Sequence, residues 1–188
     1  MGEGERLHPV AQPEREVVPD VPRDRPTVDA DGRLLTRIEG VELVRLAPLV
    51  DHRGSLMEVV DLESPFWREP VVYAYQVAIL PGRIKGWGMH KLQADRYFAA
   101  CGRLRVVLYD GRVGSPTHGR FAQFHFADDS PGLLRIPPGV WHADQNIGDR
   151  EARLLNFPTR PYDRADPDKY RIDPHSGAIP FDWELRDG

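Results

Sequence analysis

Short apolar runs alternate with polar breaks along most of the chain. The runs VELVRLAPLV, SLMEVVDL, VVYAYQVAIL, RYFAACG, RLRVVLYD, FAQFHFA, LLRIPPGVW and ARLLNFPT follow one another. They are rich in β-branched and aromatic side chains, which suit a pleated, half-buried surface. The clusters LPGRIKGWG, DGRVGSPTHG and DDSPG lie between them and carry the Gly, Pro and Asp that turns require. No segment from Gly40 to Thr159 keeps a helical apolar period. The pattern predicts an all-β sandwich or barrel with the strand spacing of jelly rolls.

The two flanks read differently. Residues 1–33 are dense in Pro, Asp, Glu and Arg and hold too few apolar side chains to offset the entropy of ordering. They are read as an extended arm, in which residues 17–21 can add an edge strand to a neighbouring subunit, with Pro19 limiting the pairing. Residues 34–188 form the single domain that a chain of 188 residues supports. Beyond Thr159, Pro161, Pro167, Pro174 and Pro180 interrupt regular structure. One helical turn is expected over residues 166–170, where Asp166 can cap and Pro167 suits the first turn.

Composition narrows the function classes. With 25 basic and 29 acidic residues the net charge is −4, which argues against holding nucleic acid or an anionic membrane by a global basic field. A local anion site stays open. No run approaches the roughly 18 apolar residues of a membrane span, and MGEGERLHPV lacks the apolar centre of a secretory signal. A cytoplasmic location is the expectation. Cys101 is the single cysteine, so neither an internal disulfide nor a thiolate cluster can form within one chain, and it is read as a packing residue.

In GLLRIPPGVWHADQN a strand ends at a Pro-Pro-Gly turn, presents His142, and places Asn146 four residues on. This resembles the second motif of the cupin superfamily, which implies a double-stranded β-helix, or jelly-roll barrel, with His142 aimed into its mouth. Metal-binding cupins carry two His separated by one residue, then a Glu, in the first motif. Here GWGMHKLQADRYFAACG offers His90 followed by Lys91 and Leu92. His90, Asp95 and His142 remain a two-His, one-carboxylate set of the kind used by iron enzymes. Lys85, Lys91 and Arg96 beside them repel a divalent cation and favour an anion. The expected centre has no metal and no cofactor.

From Glu39 to Trp183 the chain resembles the dTDP-4-dehydrorhamnose 3,5-epimerases, the metal-free branch of the cupins. DHRGSLMEV is similar to the family's D-x-R-G-x-x-x-E, with Asp51, Arg53, Gly54 and Glu58. YQVAILPGRIKGWGMH resembles the glutamine strand leading to R-G-L-H, with Gln76 and His90 as counterparts. Ser115 to Gly119 match S-P-T-x-G, IPPGVWH matches I-P-x-G-x-x-H, and IDPHSGAIPFDW resembles the late D-P and D-W.

The resemblance implies that His90 is the catalytic base and that Asp173 orients it, since a carboxylate on one ring nitrogen fixes the tautomer and raises the basicity of the other. Lys85, Arg96 and His142 are the candidates for stabilising the enolate oxygen. Arg53, Arg96 and Lys85 carry over as diphosphate ligands, partly across a subunit boundary, and Glu58 and Gln76 as groups that orient sugar or base. Trp87 and Trp141 adjoin the histidines and offer either a sugar platform or core packing.

Three positions depart from the family. Leu56 stands where an aromatic residue stacks on the nucleobase, and Trp87 where an arginine precedes the histidine. Asn156 occupies the place of the tyrosine that protonates the opposite face. An amide cannot serve as that acid, so inversion needs Tyr162, which matches a second family tyrosine, or Tyr97, or water. Four functions stay open: an epimerase of a nucleotide-linked 4-keto-6-deoxy sugar, at C3, C5 or both; a ketoisomerase working on one face; a metal-dependent oxygenase; and a binding module without catalysis. Open sheet edges and a half-open mouth make a homodimer the default assembly.

Overall fold

The computed structural model describes residues 37–187. The arm expected over residues 1–33 lies outside the described residues. Twelve strands are present among the described residues: β1 Glu42–Arg45, β2 Leu49–Asp51, β3 Gly54–Leu56, β4 Tyr75–Ile79, β5 Ile84–Met89, β6 Asp95–Cys101, β7 Leu104–Asp110, β8 Phe121–Phe126, β9 Gly132–Ile136, β10 Val140–Asn146, β11 Ala152–Asn156 and β12 Tyr170–Arg171. One five-stranded sheet has the order β1-β9-β6-β11-β4 and the other β12-β5-β10-β7-β8, while β2 and β3 form a separate hairpin. Every pairing is antiparallel. This is the cupin jelly roll. The described residues hold no α-helix, only a 3-10 turn at Pro65–Trp67 whose Ser64 cap accepts from the Phe66 amide, and none long and apolar enough to cross a membrane.

Burial on both faces of both sheets explains the pattern of the strands. From β7, Leu104, Val106 and Leu108 point between the sheets and meet Ile79, Leu134, Ile136 and Leu154. On its other face Val107 joins Trp87 and Ala143 under Ile179, Phe181 and Trp183 from the C-terminal segment. The outer face of the first sheet buries Phe98 and Leu133 against Phe66, Trp67 and Phe157. Strands covered on both sides read as continuous apolar runs rather than strict alternations.

Two expectations from sequence are corrected. LPGRIKGWG is a break only at its start, where residues 80–83 turn with the Arg83 amide donating to the Leu80 carbonyl at 3.1 Å, and β5 runs through the rest. Its glycines serve close packing: a Cβ on Gly86 would lie 2.4 Å from the Ala143 Cβ, and one on Gly88 would lie 3.0 Å from the His142 Nε2. No helical turn forms over residues 166–170, and Tyr170–Arg171 instead becomes β12 against β5. Burying Ile172, Ile179, Phe181 and Trp183 outweighs the local capping preference of Asp166 and Pro167.

The S-P-T segment locks a turn. The buried Asp110 carboxylate accepts from Arg112 Nε at 2.8 Å and from the Ser115 and Thr117 hydroxyls at 2.6 Å each. These bonds hold its pKa well below the usual carboxylate range against the cost of burial.

The packing of Gly86 is testable by substitution. Gly86→Ala combines overlap with Ala143 and a φ of +149°, and it should cost roughly 3 kcal/mol or more in urea unfolding. Gly114→Ala has a positive φ and nothing within 4 Å, and it should cost only about 1 kcal/mol. Equal costs would contradict the packing argument.

Candidate active site

At one end of the space between the sheets the inward positions turn from apolar to polar. In β10 the residues of the inward phase are His142, Asp144 and Asn146, and in β6 they are Asp95, Tyr97 and Ala99. Asn146 caps the far end, donating to the Ile79 and Arg150 carbonyls at 2.7 Å. His142, Asp144 and Tyr97 border a cavity of ≈ 670 Å³, whose lining also includes His90, Tyr75 and Lys169. Lys85, Arg160, Tyr162 and Arg171 also face it.

His90 follows β5 directly and is 7% exposed. Its Nδ1 is hydrogen-bonded to the backbone carbonyl of Asp168. A carbonyl only accepts, so Nδ1 carries a proton, and in the neutral ring Nε2 is the nitrogen with the lone pair. The Asp168 carboxylate clamps the same turn, accepting from the Lys91 and Leu92 amides at 2.9 and 2.7 Å. Lys169 Nζ lies 3.4 Å from His90 Nε2. Burial lowers the pKa of this ammonium, and the Asp95 and Asp144 carboxylates pull it back up.

His142 stacks beside His90, with ring centroids 5.7 Å apart and planes inclined by 19°. The Asp95 carboxylate sits between them, 3.5 Å from His90 Nε2 and 3.6 Å from His142 Nε2. Burial pushes His142 down to about 4, so it is a neutral ring at physiological pH. Burial pushes Asp144 up to about 7, and its carboxyl is hydrogen-bonded to Tyr97. The ligand atoms of His90, Asp95 and His142 lie within 4.8 Å of one another, as a divalent ion would require. Lys169 brings a positive charge to that same point, which opposes such an ion.

The structure brings His90, His142, Lys85 and Tyr162 to one cavity. Asp173 stands apart: its carboxylate accepts from the His175 amide at 2.9 Å. The antiparallel register explains this, since Tyr170 pairs with Met89 and Arg171 with Gly88. Position 169 therefore falls beside His90, and position 173 is carried toward Gly86. Arg96 is fully buried on the outer side of its sheet, giving bonds to the Phe157, Glu69 and Pro70 carbonyls and lying over the Trp67 ring. Asp95 and Tyr97 take the inward phase, which forces Arg96 outward.

The same parity turns Gln76 to solvent, because Tyr75 and Val77 take the cavity side of β4. Trp87 borders the cavity through its strand, but its ring packs against Phe121, Phe181 and Trp183, and Trp141 joins that same outer cluster. Neither is a sugar platform. Arg53 is spent on a salt bridge of 2.5 Å to Asp51 in the exposed β2–β3 turn, and Glu58 is exposed. Asn156 is fully buried behind the cavity, accepting from the Arg96 amide at 3.1 Å and donating to the Tyr75 hydroxyl at 2.8 Å.

Sequence reasoning missed Asp144, Tyr75, Arg160, Lys169 and Arg171. Asp144 was accessible through its phase, two residues after His142 on one strand. Lys169 and Arg171 had no such signal, because only the β12–β5 register places them.

No family model matches the chain. It is 34% identical over 150 residues to a probable low-salt glycan biosynthesis epimerase of Haloferax volcanii, covering 79% of this chain and 96% of that protein. It is 33% identical over 150 residues to a spore coat polysaccharide biosynthesis protein of Bacillus subtilis, covering 78% and 96%. Among solved structures, a dTDP sugar isomerase from Desulfovibrio desulfuricans superposes with a TM-score of 0.73 at 34% identity, covering 80% of this chain and 94% of that one. A jelly roll closed around buried histidines is a cupin architecture, and these similarities place it among the sugar epimerases and isomerases of that fold. The chain belongs to the dTDP-4-dehydrorhamnose 3,5-epimerase-like family, and it is an epimerase-type isomerase of that kind.

The titrations of Asp144 and His142 oppose one another. An Asp144 pKa raised to about 7 means that the folded state binds more protons than the unfolded state between about 4 and 7, so this group destabilises the fold as pH rises through that window. A His142 pKa lowered to about 4 means the reverse between about 4 and 6.5, where stability rises with pH. Thermal melts of wild type and Asp144→Asn from pH 4 to 8 separate the two. The variant's relative gain should grow up to about pH 7 and then level off, whereas a pH-independent difference would refute the raised pKa.

Proposed function

We propose that this enzyme epimerises a nucleotide-linked 4-keto-6-deoxyhexose next to its C4 ketone, with His90 Nε2 as the base. The observation that carries this is the pinning of His90 Nδ1 by the Asp168 carbonyl, which makes Nε2 the nitrogen presented to the cavity, beside Lys169 Nζ and the Asp95 carboxylate. The carbon-bound proton moves to Nε2, and the electron pair moves onto the ketone oxygen. The Lys169 ammonium stabilises that oxyanion, in the role that sequence gave to Lys85. His142, neutral and buried, adds a ring N–H donor.

Lys85, Arg160 and Arg171 supply the positive rim for a diphosphate, and Tyr73 and Tyr162 supply aromatic surface around the same opening. The similarity to a dTDP sugar isomerase supports a dTDP-linked substrate, and the glycan and spore-coat relatives support a place in deoxysugar biosynthesis. A cytoplasmic location belongs to the same proposal. A lysine among the three potential metal ligands favours proton transfer over the oxygenase reading.

The assembly proposed is a homodimer. Among the described residues the β2–β3 hairpin pairs only with itself, and it exposes Leu49, Val50 and Leu56 at 71%, 74% and 59%. A second copy would cover such a surface.

In deuterated buffer the enzyme should wash solvent deuterium into C3 or C5 of dTDP-4-keto-6-deoxyglucose. His90→Asn should slow that exchange by roughly 10²- to 10⁴-fold. Absence of exchange with every such sugar would defeat the proposal. Sedimentation should give a dimer, and a concentration-independent monomer would contradict the assembly.

A further inference from the structure

The two walls of the cavity come from different sheets, and this decides where a second proton can come from. His90 and Lys169 belong to the β5–β12 edge of one sheet, and the facing wall is built by β6, β11 and β4 of the other. A sugar ring held between the walls presents one face to His90 and the opposite face to β6, β11 and β4. Four tyrosines line the cavity; Tyr73, in the segment before β4, belongs to the aromatic surface of the opening, and the other three compete for the role of acid.

Tyr97, on β6, is buried, and its hydroxyl is committed to the Asp144 carboxyl. Tyr162 follows β11 at the rim and is 47% exposed. Tyr75, on β4, faces the cavity half-buried, and the Asn156 side chain donates to its oxygen at 2.8 Å. Asn156 and Tyr75 are direct partners in the β11–β4 register. The amide therefore fills one lone pair of the phenol, and its own oxygen is already held by the Arg96 amide. The phenolic proton is left to point elsewhere, into the cavity.

We infer that Tyr75 is the acid for the face opposite His90, held in place by Asn156 from the neighbouring strand. The proton-donating role has moved one strand over, from β11 to β4, and Asn156 has become its positioning residue. The inference rests on the epimerase reading above. In the first step the C–H bond breaks, an N–H bond forms at His90 Nε2, and the electron pair rests on the ketone oxygen. In the second the Tyr75 O–H bond breaks, a C–H bond forms on the other face of the same carbon, and the carbonyl is restored. The resulting phenolate takes a proton from solvent, and the imidazolium returns one. Desolvation raises the Tyr75 pKa, which keeps the proton on the oxygen until the enolate draws it away.

The test separates exchange from inversion with dTDP-4-keto-6-deoxyglucose in deuterated buffer, after circular dichroism shows that each variant is folded. Tyr75→Phe should retain deuterium exchange, which needs only His90, while net inversion falls by roughly 10²- to 10⁴-fold. Tyr162→Phe and Tyr97→Phe, which also line the cavity, should change exchange and inversion together, so that the ratio of inversion to exchange stays at the wild-type value. Asn156→Asp, which replaces the donor with an acceptor able to hold the phenolic proton, should lower kcat for inversion with KM unchanged. Unchanged inversion in Tyr75→Phe, joint loss of exchange and inversion there, or selective loss of inversion in either other tyrosine variant would overturn the inference. Exchange without inversion in the wild type would overturn it alone, and no exchange in the wild type would remove the underlying reading with it.

Discussion

Tyr170 and Arg171 pair antiparallel with Met89 and Gly88, and this two-residue ladder sets where the C-terminal segment delivers its polar groups. Continuing the register by one residue puts Lys169 beside His90, with the Asp168 carbonyl on the other ring nitrogen. The ladder is short, and its stability comes from the apolar residues C-terminal to it. Ile172, Ile179, Phe181 and Trp183 pack with Trp87, Val107 and Ala143 on the outer face of the sheet. Fully burying one such side chain contributes on the order of 1.5–3 kcal/mol. The His90 ring is thus oriented by a hydrophobic strap, through a backbone carbonyl rather than the carboxylate that the resemblance implied.

The electrostatics follow from enclosing a few charges between two apolar walls. Desolvation drives His142 and Asp144 toward their neutral forms, while Asp95 and Lys169 sit together beside the two rings. A buried charge is tolerated where an opposite one lies close by. In the proposed reaction the same closeness would keep a cation where the oxyanion develops, with no reorganisation needed.

The all-β architecture was legible because apolar runs and turn clusters follow one another along the chain, and the Pro-Pro-Gly-x-x-His pattern located His142. His90 was legible from its surroundings, and the cavity contains both. Elsewhere strand parity ruled. Gln76 and Arg96 sit in plausible motifs but fall on the outward phase of β4 and β6, where one position decides between cavity and exterior. The glycines of β5 resembled turn residues, although they accommodate Ala143, His142 and Lys169. Asp173 was misplaced for a different reason: a motif gives order along the chain but not register across a ladder. Asn156, which read as a lost acid, is joined to Tyr75 across the sheet, a relation that no linear spacing shows.

The central proposal is that the Asp168 carbonyl holds a proton on His90 Nδ1, so that Nε2 is the nitrogen that accepts one from the substrate. Nitrogen-15 chemical shifts of the His90 ring, measured on the labelled protein near neutral pH, report this directly. The account predicts a protonated Nδ1 and an unprotonated Nε2, with the pattern shifting to the other tautomer or losing definition when the C-terminal segment is truncated before Asp168. A proton on Nε2 in the intact protein would contradict it.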